Sequence, residues 1–132
     1  MGLVVDTNVF ILAEKSGGSI DFDRWVHLGE AFISAGTVSG LWVGVFKADS
    51  LQRRRRRAGF VGAIEARVPV LPFDGEVARV YARILADLPG GTTVGAHGAM
   101  IGATAARFGH AVLTDNVRDF SRLSGVTVIP LR

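Results

Sequence analysis

Short apolar runs alternate with amphipathic stretches along the chain, and this alternation predicts strands and helices in turn. Leu3-Val4-Val5 is a β-rich run ending at Asp6. Asn8 is placed to cap a helix that opens at Val9-Phe10-Ile11-Leu12 and fades into Ser16-Gly17-Gly18. A second helix is predicted from Asp23 to Gly29, and a second strand over AFISA (31–35). Thr37 or Ser39 is placed to cap a long apolar stretch through Phe46 and Ala48. The next helix opens at an arginine run and carries Phe60, Val61, Ile64 and Val68 at helical spacing. VPVLPF (68–73) reads as a strand with proline near its ends, tolerable at a sheet edge. Asp74 caps a helix whose Val77, Val80, Tyr81, Ile84, Leu85 and Leu88 share one face. Pro89-Gly90-Gly91-Thr92 stops it. A small-residue helix over 97–108 is closed by Gly109, and strands follow at HAVLT (110–114) and VTVIP (126–130).

Such alternation argues for an α/β fold, a parallel sheet with helices on both faces. Right-handed crossovers bring the C-terminal ends of the strands to one edge, where sites form in such sheets. Asp6 follows the first strand, and Asp115 and Asp119 follow the fourth. Two carboxylates at neighbouring strand ends repel unless a proton or cation sits between them. A hard divalent ion suits them, makes a bound water nucleophilic and neutralises phosphate. An aspartate after a strand also serves as a helix cap or turn former, and spacing alone leaves both readings open.

The 132 residues form a single domain, residues 1–132. With 48% hydrophobic and 20% charged residues the chain can bury a core. No apolar run approaches the roughly 20 residues of a membrane span, and MGLVVDTN lacks the basic region of a signal peptide. The absence of cysteine excludes disulfides and thiol nucleophiles, and a cytoplasmic location is expected. Charge favours a polyanion or an acidic partner: 15 basic residues against 12 acidic give +3, and Arg53, Arg54, Arg55, Arg56 and Arg57 are consecutive. Five successive helical residues point all around the axis, so two or three can face one ligand and the rest a solvated surface.

LVVDTNVFIL, AFISAGTVSGLWVGV, VPVLPFDGEVARVYARILADL, VGAHGAMIGATA and AVLTDNVRDF occur in an order and spacing that resemble PIN domains, and more narrowly the VapC-type toxins of bacterial toxin–antitoxin pairs. The resemblance spans nearly the whole chain. It implies an α/β/α sandwich, an endoribonuclease dependent on Mg²⁺ or Mn²⁺, a homodimer and a VapB-like antitoxin. It also implies a quartet of metal-binding acids. The first maps to Asp6 in the DTN motif and the last to Asp115 or Asp119 in TDNVRDF. The second, a Glu in T-x-S-E-L, maps to Gly40; the third, an Asp in H-D-x-x-I-x-A-T-A, maps to Gly98. Asn116 fills a position that is acidic in some relatives, Thr114 is a supporting hydroxyl, and Asn8 lies beside Asp6.

Glycine cannot ligate a metal through a side chain, and losing two carboxylates removes the repulsion that calls for a cation. Weak divalent binding and reduced cleavage are therefore expected. Nearby acids do not replace them. Glu30 lies at the wrong end of its strand, and nine residues of helix carry Asp49 towards the face opposite Gly40. His97, beside Gly98, is a surface or capping residue or a contact for metal or phosphate. Trp42 and Phe46, at i and i+4, are core or line a groove for an antitoxin helix. The arginine run reads as a contact for RNA or an acidic antitoxin segment.

The leading expectation is a VapC-type endoribonuclease with a degraded metal site. The alternative is a non-catalytic binding module for an antitoxin-like protein or RNA. A Rossmann nucleotide site is disfavoured, because no G-x-G-x-x-G follows the first strand.

Overall fold

The computed structural model describes residues 1–17 and 24–132. Its strands are β1 (Leu3–Val5), β2 (Ala31–Ser34), β3 (Val70–Leu71), β4 (Ala111–Thr114) and β5 (Val128–Pro130). Its described helices are α1 (Thr7–Lys15), α2 (Ala35–Phe46), α3 (Leu51–Arg67), α4 (Gly75–Asp87), α5 (Ala96–Arg107) and α6 (Val117–Phe120). The strands pair in parallel, as the strand–helix alternation predicts, and their order is β3-β2-β1-β4-β5.

Successive side chains alternate across the sheet and build two cores. Val4 and Val112 face Val77, Ile84, Ile101, Ala103 and Phe120 of α4, α5 and α6. Leu3, Val5 and Leu113 face Val9, Phe10 and Ile64 of α1 and α3, with Val38 and Leu41 of α2 packed alongside. The result is an α/β/α sandwich whose central strands, buried on both faces, read as unbroken apolar runs.

Local chemistry fixes the helix starts. The Asp74 carboxylate accepts the Val77 N–H at 2.9 Å, and the Ser50 hydroxyl accepts that of Arg53 at 3.1 Å. Hence α3 begins two residues ahead of the arginine run. Ser34, rather than Thr37 or Ser39, caps α2: it ends β2 in extended geometry and accepts the Thr37 N–H at 3.1 Å. One residue both closes the strand and opens the helix, leaving Thr37 inside the first turn. Likewise Asp6 rather than Asn8 holds the cap position of α1.

Several predicted elements change in length, three of them by two residues or more. Where a helix is expected from Asp23 to Gly29, the described residues hold a 3₁₀ turn at Val26–Leu28, followed by Gly29 at φ +128°. Asp23, its predicted start, and Gly18 lie outside the described residues. The strand expected over 68–73 shrinks to Val70–Leu71 at the sheet edge, because Pro69 and Pro72 have no N–H to give a ladder. The last strand shortens to three residues. Helix α6 is four residues long, too short to show a periodicity, and it is pinned by Phe120, 3% exposed.

Candidate functional site

Chain direction along the sheet reverses between β1 and β4, so a crevice opens at their C-terminal ends. Asp6 leaves β1 at this point, with its N–H on the Leu113 carbonyl at 2.9 Å. Thr114, the last residue of β4, donates its hydroxyl to Asp6 Oδ2 at 2.8 Å. Asp6 is only 5% exposed. Burial pushes its carboxyl above the ordinary value, against the opposing pull of the Thr114 hydroxyl, the N–H groups of Thr7 and Asn8, and His97.

The same Thr114 hydroxyl accepts the Asn116 N–H at 2.8 Å and turns the chain into α6. Asn116 Nδ2 then donates to Asp119 Oδ2 at 2.9 Å. Asp6, Asn8, Asn116 and Asp119 thereby line one cavity of about 370 Å³, together with His97 and Gly98. Val94, Phe120 and Leu123 give it an apolar wall. Asp115 is absent from that lining. Its carboxylate meets Arg132, with Nε at 3.1 Å and Nη2 at 3.0 Å, and the guanidinium holds it below the ordinary carboxylate value. Of the two acids in TDNVRDF, Asp119 is the one brought to Asp6.

Gly98 in α5 lines this cavity, and Gly40 in α2 lies beside His97, another of its lining residues. A Cβ added at Gly40 would sit 3.4 Å from His97 Cε1; one added at Gly98 would sit 3.7 Å from Phe120 Cζ. Both are ordinary contacts, so neither position excludes a Cβ. The His97 ring stands at the Gly40 corner, with Nε2 2.9 Å from Thr7 Oγ1. Thr7 donates to Thr37 Oγ1 at 2.9 Å, and Ser34 donates to the same oxygen at 3.0 Å. With Thr7 donating to Thr37, Nε2 donates to Thr7 and Nδ1 is the free ring nitrogen. This hydroxyl–imidazole chain is missing from the sequence reading. Its members lie up to 90 positions apart, and no motif joins them.

The arginines separate by face. Arg53 pairs with Asp49 at 3.0 Å, and Arg54 donates to the Phe46 carbonyl at 3.3 Å. Arg57 turns inward, donates to the Gly44 carbonyl at 3.0 Å and lies 3.8 Å from Glu14. Arg55 and Arg56 are exposed and make no side-chain hydrogen bond or ion pair among the described residues. The rings of Trp42 and Phe46 pack 5.9 Å apart; Trp42 Nε1 donates to Glu65, and Phe46 is 67% exposed.

A divalent ion held by the protein needs several converging oxygens. Here Gly40 and Gly98 offer no side-chain oxygen, which leaves Asp6 and Asp119 as the carboxylates lining the cavity. Among the described residues no group of three or more His, Asp or Glu side chains is arranged to hold a metal. The donor set does not fit a resident Mg²⁺ or Mn²⁺.

The sequence profile of the PIN domain matches residues 3–126. The chain belongs to the PIN domain family. This PIN domain is 35% identical over 130 residues to ribonuclease VapC1 of Rickettsia felis, covering 98% of this chain and 96% of that one. It is 32% identical over 127 residues to the tRNA(fMet)-specific endonuclease VapC of Salmonella typhimurium, covering 95% and 94%. Among solved structures, the DNA-bound VapBC of Salmonella typhimurium superposes on it with a TM-score of 0.87 at 27% identity, covering 100% of this PIN domain and 99% of that chain. No described helix is long and apolar enough to cross a membrane.

Proposed function

We propose that this chain is a VapC-type ribonuclease toxin by descent, with phosphodiester cleavage weak or lost in this sequence. The observation that carries the reading is the cavity at the β1–β4 switch. Asp6 and Asp119 line it together inside a PIN scaffold, while the two positions that resemblance assigns to further acids are glycines, at which an added Cβ would meet only His97 or Phe120 at ordinary contact distance. Its likeness to relatives named ribonuclease VapC, over nearly the full length of both chains, supports RNA as the substrate class. The solved VapBC complex supports a VapB-like antitoxin as partner. The exposed face around Val43 and Phe46 suits an apolar partner segment, and the neighbouring arginines suit an acidic one. A homodimer and a cytoplasmic setting complete the proposal. In this sequence the scaffold holds RNA and antitoxin while its hydrolytic chemistry is disabled, which unites the toxin reading with the binding-module one.

The test is cleavage of a structured-RNA pool with added Mn²⁺, comparing this chain with a Gly40→Glu, Gly98→Asp double variant. Cleavage by the double variant alone is the expected outcome. If the unmodified chain cuts, and Asp6→Asn stops it, two acids suffice and the disabled-site reading is wrong.

A further inference from the structure

The outer face of α3 is basic and otherwise bare. At about 100° of turn per residue, Gln52, Gly59 and Ala63 fall along one line of this helix, with Arg55 and Ala66 on one flank and Arg56 and Arg67 on the other. Each of these residues is exposed, and the buried Val61 and Ile64 point away from them. The rest of the arginine run leaves this face: Arg53 pairs with Asp49, while Arg54 and Arg57 reach the Phe46 and Gly44 carbonyls of α2. Arg55, Arg56 and Arg67 make no side-chain hydrogen bond or ion pair among the described residues. The one acid of α3, Glu65, is turned off the face and accepts Trp42 Nε1 at 2.6 Å.

Arg56 and Arg67 are 11 positions apart, about 16 Å along the axis, so unpaired positive charge stands at both ends of the face. Between them Gly59, Ala63 and Ala66 extend no further than Cβ, and a Cβ added at Gly59 would meet nothing within 4 Å. A long anion can therefore lie flat along the helix. The composition also selects among anions. A protein segment draws affinity from an apolar, aromatic-rich centre, and a single strand of nucleic acid from aromatic stacking platforms. This face has neither, because Phe60, the one aromatic of α3, packs against the core beside α1. Attraction to phosphates needs only charge and a clear approach, and the backbone of a rigid duplex presents phosphates in that form.

We infer that the outer face of α3 is a second RNA-binding surface, which holds the phosphate backbone of a double-stranded arm through Arg55, Arg56 and Arg67. It stands apart from the crevice, since no residue of α3 lines the cavity of Asp6 and Asp119. The inference rests on the RNA reading above and deepens it: the substrate class is a folded RNA with a duplex arm, held without regard to sequence, because phosphate contacts carry none.

Fluorescence anisotropy with a short labelled RNA duplex, at low salt and in excess chelator, tests this. The Arg55→Gln, Arg56→Gln, Arg67→Gln triple variant should weaken binding roughly tenfold or more and flatten the log–log salt slope by about 2–3, at about 0.9 per phosphate. A second triple variant, Arg53→Gln, Arg83→Gln, Arg132→Gln, removes the same charge from arginines already paired with Asp49, Asp87 and Asp115, and should change affinity less than about threefold. Ala63→Lys should tighten binding and Ala63→Glu weaken it, each by about threefold, since both residues suit an exposed helix and differ in sign. Equal losses in the two triple variants, Ala63 variants that do not move in opposite directions, or no binding by the unmodified chain would each overturn the surface. So would tighter binding of the same sequence as a DNA duplex, or stronger competition by a polyglutamate peptide than by unlabelled RNA duplex. Failure of the broader reading shows elsewhere: the Gly40→Glu, Gly98→Asp variant then leaves RNA uncut, while the duplex still binds α3.

Discussion

Replacing Gly40 and Gly98 by alanine asks whether packing demands glycine in the site. Gly40 is the sixth residue of α2 and Gly98 the third of α5. Glycine within a helix is destabilising by roughly 0.5–1 kcal/mol relative to alanine, mostly through backbone entropy. The new methyl groups would lie 3.4 Å from His97 Cε1 and 3.7 Å from Phe120 Cζ, without backbone collision. The double alanine variant should therefore gain about 1–2 kcal/mol, raising Tm by about 3–10 °C for a domain of this size. Gly2→Ala is the opposing control. Its Cβ would lie 2.7 Å from both the Glu30 carbonyl oxygen and Phe32 Cε2, so a loss of about 1–3 kcal/mol is expected. Thermal unfolding followed by circular dichroism reads all three proteins. His97 touches the first position and adjoins the second in sequence, so the single variants are needed to expose any coupling. A lowered Tm in either single variant would refute the reasoning. It would mean that these glycines serve the fold, and that an acid could not stand there without strain.

In the Gly40→Glu, Gly98→Asp background, Asp119→Asn should cut RNA cleavage roughly tenfold or more, whereas Asp115→Asn, facing Arg132, should leave it within about twofold. The opposite ranking would reassign the acid. The Asp6 carboxyl, followed by carbon-detected NMR, should titrate above the ordinary value of 3.8, because burial disfavours its charge. Its folded state then holds the proton more tightly than the unfolded chain, so this group adds stability as pH falls towards 3.8, and Asp6→Asn should remove that contribution. His110 shifts downward through burial and then the N-terminal ammonium; its Nδ1 accepts the Gly2 N–H at 2.8 Å and its ring stacks on Phe32. Protonation breaks that bond, so this group's stabilisation should fade as pH drops below 6.5, and His110→Gln should flatten this part of a denaturation profile taken from pH 8 to 5.

Much of the architecture is legible in residue order. The period-2 and period-3.6 patterns, the Asp74 cap and Gly109 at φ +72° are local signals whose meaning does not depend on distant residues. They suffice for an α/β/α sandwich and for placing Asp6 at a strand end. The signals that mislead are also local. Ser34 looks like a strand residue and Thr37 like a cap, yet one side chain performs both tasks at the junction. VPVLPF has the composition of a strand, but its prolines leave only two residues able to pair with β2.

Sequence by itself determined the order of elements, the presence of acids after β1 and β4, and the glycines at 40 and 98, because each follows from residue type and local spacing. Tertiary structure alone decided which acid joins Asp6. The strand order sets β4 beside β1, and the Thr114 hydroxyl grips both Asp6 and the turn into α6, so Asp119 reaches the cavity while Arg132 holds Asp115 outside it. The same packing seats His97 against Thr7 and turns Arg57, alone of five arginines, towards Gly44. Apart from the Thr114–Asn116 turn, these contacts join residues from 13 to 108 positions apart, and no local pattern encodes them. They exist because burial of the two apolar layers fixes where each helix lies on the sheet.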